Sequence, residues 1–201
     1  MSPATKAAHR NPAAGFTLIE LIIVIGIASI LLVGIGNFIV SALATYQYLQ
    51  VQGNSAVDQT ALVDRMGNVI RGATGIITAQ GNTLTLYAYF SPADAVVDQV
   101  SYTVNGSTLQ VSVIPPSGTA PNYTYNPASA KITTLSTNFT DSPNPVFTYY
   151  DASGTQLASG FTTSQINQIG IYLSTNPNPA KLPKPLVLQT RVTLRNMKTN
   201  L

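Results

Sequence analysis

The sequence predicts an α+β fold in which a long N-terminal helix packs against an antiparallel β-sheet. An apolar run over residues 16–40 continues, without a proline, into an amphipathic stretch that ends near residue 72, and this continuity favours one helix. Beyond residue 75, short alternating segments are separated by glycine, asparagine, aspartate and proline, as in consecutive antiparallel strands. A helix followed by a series of strands is typical of an α+β domain.

Composition divides the chain at the same places. We expect residues 1–15 to form a short basic leader and residues 16–40 a transmembrane helix. Residues 41–72 would be an amphipathic continuation of that helix, and residues 73–201 an antiparallel β-rich globular domain. The length of 201 residues is enough for one domain of ordinary size with such an anchor.

The apolar run contains one carboxylate, Glu20, close to its start. Residues 16–40 exceed the roughly 20 apolar residues that a helix needs to cross a bilayer. An ionised side chain inside such a span is costly to bury and needs a partner, so Glu20 is a candidate functional residue.

The residues around Glu20 occur in a recognisable order. Gly15 precedes the apolar run, Phe16 begins it, and residues 21–34 after Glu20 are all apolar or small. This order resembles the N-terminal signature of type IV pilins and type II secretion pseudopilins. The resemblance implies a structural subunit of a filament whose core is built from the helix of residues 16–40.

The resemblance also implies how such a chain is processed and assembled. A membrane prepilin peptidase would cut after Gly15, and the new amine of Phe16 would usually be methylated. In the filament, Glu20 would meet the Phe16 amine of a neighbouring subunit, because a lone buried carboxylate is unfavourable. The implied partners are the peptidase, other pilin subunits, an inner-membrane assembly platform and membrane lipid.

Three other interpretations of the apolar run remain. An ordinary transmembrane anchor explains its length but gives no reason for Glu20 or Gly15. A secretory signal is suggested by the small residues Ala42 and Ala44, although the apolar cores of such signals span only about 7–15 residues. If Gly15 stays uncut, the alternative function is a membrane-anchored extracytoplasmic binding module that does not polymerise.

The distribution of charge predicts the orientation in the membrane. Lys6, His9 and Arg10 lie in the leader, and a positive N-terminal flank favours a cytoplasmic N-terminus. We therefore expect a single-pass protein of the cytoplasmic membrane that lies outside the cytoplasm after assembly. Without the leader, the net charge of +3 falls close to zero. No general nucleic-acid footprint follows from that balance, and nucleic-acid binding stays open.

Basic residues are concentrated at the C-terminal end of the chain. They are Lys181, Lys184, Arg191, Arg195 and Lys198. Charged residues on the edge of a sheet discourage aggregation, so an exposed edge strand is one interpretation. A patch that touches a partner or an anionic surface is the other.

The second half of the helix is predicted to bury an apolar stripe against the sheet. The stripe consists of Leu62, Val63, Met66, Val69, Ile70 and Ala73. In the apolar half, Gly34, Gly36 and Asn37 predict either a loosened helix or close packing against a second helix.

Strands are predicted at residues 76–79, 83–90, 100–104, 109–114, 146–150, 166–173 and 186–194. Asn105-Gly106 between two alternating segments is a strong hairpin signal. Pro115, Pro116, Pro121 and Pro127 predict a loop, because proline cannot continue an interior ladder.

Three fragments of the C-terminal half look like those of minor pilins and the larger minor pseudopilins. They are residues 100–102, residues 147–154 and residues 192–196. This similarity implies a minor subunit.

No catalytic constellation is visible, and we do not expect an enzyme. His9 is the only histidine, and the chain has no cysteine, so the processed chain would lack the usual nucleophile partners and zinc ligands. The acid pairs are Asp94 with Asp98 and Asp141 with Asp151. Both lie in turn-rich segments, where local hydrogen bonds explain them and weak calcium binding is the alternative. No metal or other cofactor is expected.

Overall fold

The computed structural model describes residues 15, 17–140, 144–176, 178–180 and 184–195. One long helix, α1, is followed by antiparallel strands, which confirms the α+β class. α1 spans Leu18–Arg71, close to the predicted bounds. Phe16 lies outside the described residues, as do residues 1–14 with Lys6, His9 and Arg10.

α1 is continuous through Gly34, Gly36 and Asn37, so the predicted loosening at these residues is wrong. Each glycine costs about 1 kcal/mol of helix propensity, whereas every residue added to an existing helix also adds a backbone hydrogen bond. A Cβ placed on either glycine would meet nothing within 4 Å. Within the described part of the chain, no atom therefore packs against either glycine.

Among the described residues, ten strands follow α1. Their bounds are β1 Gly75–Ala79, β2 Thr83–Ala88, β3 Asp98–Asn105, β4 Thr108–Ile114, β5 Pro116–Thr119, β6 Asn122–Tyr125, β7 Lys131–Ser136, β8 Phe147–Tyr150, β9 Gln168–Thr175 and β10 Leu186–Thr193. Two short 3₁₀ turns accompany them, at Pro127–Ser129 and Thr163–Gln165.

The strands form two larger sheets and a ribbon. A five-stranded sheet has the order β1-β2-β3-β4-β7, and a three-stranded sheet has the order β10-β9-β8. Within the described residues, β5 and β6 form a separate two-stranded ribbon. An isolated bridge pairs Phe139, which follows β7, with Thr175 of β9.

Two strand predictions need correction. The proline-rich loop contains the β5–β6 ribbon, because Pro116 is the first residue of a two-stranded ribbon and not part of an interior ladder. β7 is absent from the predicted strands. Its first four residues are all exposed, so the strand lacks the alternation of buried and exposed positions that makes other strands recognisable in a sequence.

The turn between β3 and β4 is shifted by one residue from the predicted Asn105-Gly106. Asn105 pairs with Thr108, so Gly106 and Ser107 form the turn. Gly106 has a φ of 57°, and no residue other than glycine has a positive φ among the described residues. This is the pattern of a type II′ turn, in which glycine takes the first central position.

The chain divides after Gln47 into two compact units, Met1–Gln47 and Tyr48–Leu201. In the second unit, one face of α1 packs on both larger sheets. Of the predicted stripe, Leu62 is partly buried, and the other members are buried: Val63, Met66, Val69, Ile70 and Ala73. Gln59, which the stripe did not include, is buried as well.

Candidate functional site

The first turn of α1 is closed by hydrogen bonds between Thr17 and Glu20. The Thr17 N–H and the Thr17 hydroxyl both donate to Glu20 Oε2 at 3.3 Å. In return, the Glu20 N–H donates to Thr17 Oγ1 at 3.3 Å. Because Leu18 is the first helical residue, Thr17 is the N-cap and Glu20 is the third residue of the helix, which is the arrangement of a capping box.

This capping box is a feature that the sequence interpretation missed. A threonine followed three residues later by glutamate, just before an apolar run, is itself a signal for a helix start. The carboxylate also lies at the positive end of the helix dipole, where negative charge is stabilising. Glu20 therefore has a partner in its own chain, independently of any contact with a neighbouring subunit.

Gly15 lies two residues before the N-cap and is exposed. A Cβ at this position would meet nothing within 4 Å. Phe16, the other predicted processing residue, lies outside the described residues. In the structure, the Glu20 side chain is therefore hydrogen-bonded to Thr17, and Gly15 is exposed.

Two hydroxyl groups in the N-terminal part of α1 donate hydrogen bonds within the helix. The Ser29 hydroxyl donates to Ile25 O at 2.7 Å, and the Thr45 hydroxyl donates to Ser41 O at 3.0 Å. Residues 17–47 are exposed, and α1 is long and apolar enough to cross a membrane. A helix without unsatisfied backbone groups and with an apolar surface is suited to lipid or to other apolar helices.

Comparison with protein families gives the observation that decides the class of this N-terminus. The model of the prokaryotic N-terminal methylation motif matches residues 10–36. The chain carries a prepilin-type signal. This signal, found in type IV pilins and pseudopilins, includes Gly15, Phe16 and Glu20 and supports a type IV pilin-like precursor. No curated protein matches the chain.

The prepilin-type signal has consequences for partners and location. It implies processing by prepilin peptidase and assembly with other pilins. Together with the apolar helix it fits a membrane-anchored pilin. The pilin-type family is structural rather than catalytic.

The paired acids of the globular unit lie in local networks. The Ser91 N–H donates to Asp94 Oδ2 at 2.6 Å. Asp98 is buried at the start of β3. Burial and the neighbouring Asp94 raise the pKa of Asp98 from 3.8 to about 6, against smaller opposing effects of the Phe90 backbone and Lys131.

Asp151 organises the turn after β8. Its Oδ1 accepts hydrogen bonds from the N–H groups of Ser153 and Thr155, both at 2.9 Å. The Ser153 hydroxyl, together with these N–H groups, lowers the pKa of Asp151. Its predicted companion Asp141 lies outside the described residues. Among the described residues, no group of three or more histidine, cysteine, aspartate and glutamate side chains could hold a metal ion.

The C-terminal basic residues do not share one environment. Arg191 is on β10, at the edge of the three-stranded sheet, and its Cζ lies 3.5 Å from the centre of the Tyr150 ring. Lys184 and Arg195 are exposed, whereas Lys181 and Lys198 lie outside the described residues. For Arg191, the edge-strand interpretation is supported, with a stacking contact in addition.

Proposed function

We propose that this chain is a subunit of a type IV pilus or a type II secretion pseudopilus, assembled through α1. The observation that carries the proposal is the coincidence of the prepilin-type signal with an exposed apolar helix that begins at a capping box containing Glu20. The weaker similarity of residues 100–102, 147–154 and 192–196 to minor pilins favours a minor subunit.

In this proposal, cleavage after Gly15 leaves the membrane helix intact and gives Phe16 a free amine. Removal of the leader also removes the charges that hold the N-terminus in the cytoplasm. The subunit waits in the cytoplasmic membrane, with its globular unit outside, until the assembly platform inserts it into a filament. A head-to-tail contact between α1 helices then produces an open filament and not a closed ring.

Glu20 has the chemistry to pair with a neighbour's Phe16 amine while it caps its own helix. Both hydrogen bonds from Thr17 go to Oε2, and a carboxylate has about four acceptor positions. Oε1 can therefore accept from a neighbouring amine without loss of the capping box. In a water-poor filament core, this pairing removes the penalty of an isolated buried charge.

N-terminal mass spectrometry of the membrane-extracted protein tests the proposal. The mature chain should begin at Phe16 and carry a methyl group, and Gly15→Leu should accumulate in the full-length form. The matched control is Gly26→Leu, a substitution inside the helix at a position open in this structure, which should be processed normally. A mature N-terminus at Thr45 would show a secretory signal, and an uncut chain would indicate the membrane-anchored binding module.

A further inference from the structure

A cleft of about 290 Å³ lies on the globular unit between α1 and the end of β7. α1 contributes Asp58, Gln59 and Leu62 to its lining, and residues 134–138 form the facing wall. Among the described residues, Asp58 is the only charged side chain of the lining. A cleft lined by one sign of charge attracts the opposite charge. The cleft is therefore a candidate site for a cationic group, separate from the proposed filament contact at Glu20.

Gln59 gives the cleft a fixed polar wall. Its side chain is only 7% exposed, and its Nε2 donates to Thr175 Oγ1 and, at 3.3 Å, to Leu186 O. A carbonyl oxygen can only accept, so the contact with Leu186 fixes which end of the Gln59 amide carries the N–H groups. Within the described part of the chain, no group donates to Gln59 Oε1. This oxygen remains as an acceptor at the wall of the cleft.

Asp58 supplies the negative charge beside this amide. Its side chain is exposed and makes neither a hydrogen bond nor an ion pair with another described residue. Leu62 and Leu135, which are partly buried, form the apolar part of the lining.

The chemistry of this lining fits an ammonium group better than a metal ion. Calcium takes about six to eight oxygen ligands, carboxylates among them, whereas the described lining has a single carboxylate. An ammonium group on an apolar stem can donate to both a carboxylate and an amide oxygen while its methylene groups pack on leucine. The side chain of lysine has these properties.

The described lysines do not occupy the cleft of their own chain. Lys131 and Lys184 are both exposed, and neither belongs to the lining. We propose that the cleft binds a lysine side chain from a second copy of this chain, with Asp58 as its ion-pair partner and Gln59 Oε1 as a further acceptor. The inference rests on the proposed assembly into filaments, in which head-to-tail contacts bring a different surface of one copy to the cleft of the next. It requires only two adjacent copies.

Carbodiimide cross-linking tests this contact, because the reagent EDC joins a carboxylate directly to an amine that touches it and leaves no spacer. Purified filaments treated with EDC should give a covalent dimer of this chain, and mass spectrometry of its peptides should show Asp58 joined to a lysine. Asp58→Asn should still enter filaments through α1 but lose this dimer. The matched control is Asp64→Asn, a change at another exposed acid of α1 that does not line the cleft, and it should keep the dimer.

The outcomes separate this inference from the proposed function. Filaments that contain the chain, with a dimer that depends on Asp58 and not on Asp64, support the inference. Filaments that contain the chain but show no coupling of Asp58, or coupling only to a lysine of the same chain or of a different subunit, overturn the inference and leave the proposed function standing. A dimer that persists in Asp58→Asn also overturns the inference. Absence of the chain from filaments would overturn both.

Discussion

Glu20 has one observed role and one proposed role, and the two act at different places. Within the chain, its carboxylate completes the capping box with Thr17. In the proposed filament, the same carboxylate meets the Phe16 amine of a neighbour. Glutamine preserves the first role, because glutamate and glutamine both serve at the third position of a capping box. It removes the charge on which the second role depends.

Glu20→Gln should therefore reach the membrane at the wild-type level but fail to enter filaments or adopt the wrong stagger. Glu20→Ala should show the same assembly defect and also lose about 1 kcal/mol at the helix start. The measurement is filament recovery from the cell surface for wild type, Gln and Ala, with membrane abundance as the control. Equal recovery of all three would leave Glu20 with capping and peptidase recognition as its roles.

Asp98 predicts a dependence of stability on pH. Its folded pKa of about 6 lies above the ordinary value of 3.8, so the folded state binds the proton more tightly than the unfolded state. The stabilising effect of the proton is complete below pH 4 and is lost as pH rises through about 6.

Asp98→Asn should remove this dependence, because asparagine stays neutral and can still accept the Phe90 hydrogen bond. Between pH 4 and pH 7, the wild type should lose on the order of 1 kcal/mol more than the variant, after allowance for solvent screening. Urea unfolding at the two pH values, followed by tyrosine near-ultraviolet circular dichroism, measures the difference. Asp64→Asn is the exposed control. Parallel pH profiles for wild type and Asp98→Asn would contradict the prediction.

Among the elements, the three-stranded sheet depends on a glycine, Gly170, which has no side chain. Gly170 on β9 pairs with Arg191 on β10 and with Thr148 on β8. A Cβ on Gly170 would overlap Thr148 Oγ1 and lie 3.1 Å from Tyr150 Cε2. The absence of this Cβ leaves room for the Tyr150 ring on which Arg191 stacks.

Gly170→Ala should accordingly destabilise the globular unit by about 1–3 kcal/mol through overpacking. Gly53→Ala is a matched comparison, since a Cβ at Gly53 meets nothing within 4 Å. It should be neutral or stabilise α1 by up to about 1 kcal/mol, the difference in helix propensity. Thermal unfolding of both variants in the same detergent gives the two shifts. A tolerated Gly170→Ala would mean that Thr148 and Tyr150 move aside easily.

At the scale of the whole molecule, the compact unit that begins at Tyr48 contains the described core. Its part of α1 buries Met66 and Ile70 against the sheets, so it should not need the apolar half of the helix in order to fold. A fragment of residues 48–201 should be soluble and give a circular dichroism spectrum of mixed helix and strand. A mainly disordered spectrum would show that the apolar half is required.

Features that depend on residues close together in the chain could be predicted from the sequence alone. The apolar run around Glu20 defined the helix and its signal, and the alternating segments defined most strands. The capping box of Thr17 and Glu20 was also present in the sequence, although it was not recognised. Helix periodicity, capping and tight turns involve residues only a few positions apart, so a linear pattern carries enough information to predict them.

Contacts between segments that are distant in the chain could be identified only in the folded structure. β7 pairs with β4 across the intervening β5–β6 ribbon, and Gln59 is buried because it reaches Thr175 and Leu186. Asp98 acquires its raised pKa from burial next to Asp94. These contacts depend on which surfaces meet after the chain closes long loops, and a local pattern does not specify that choice.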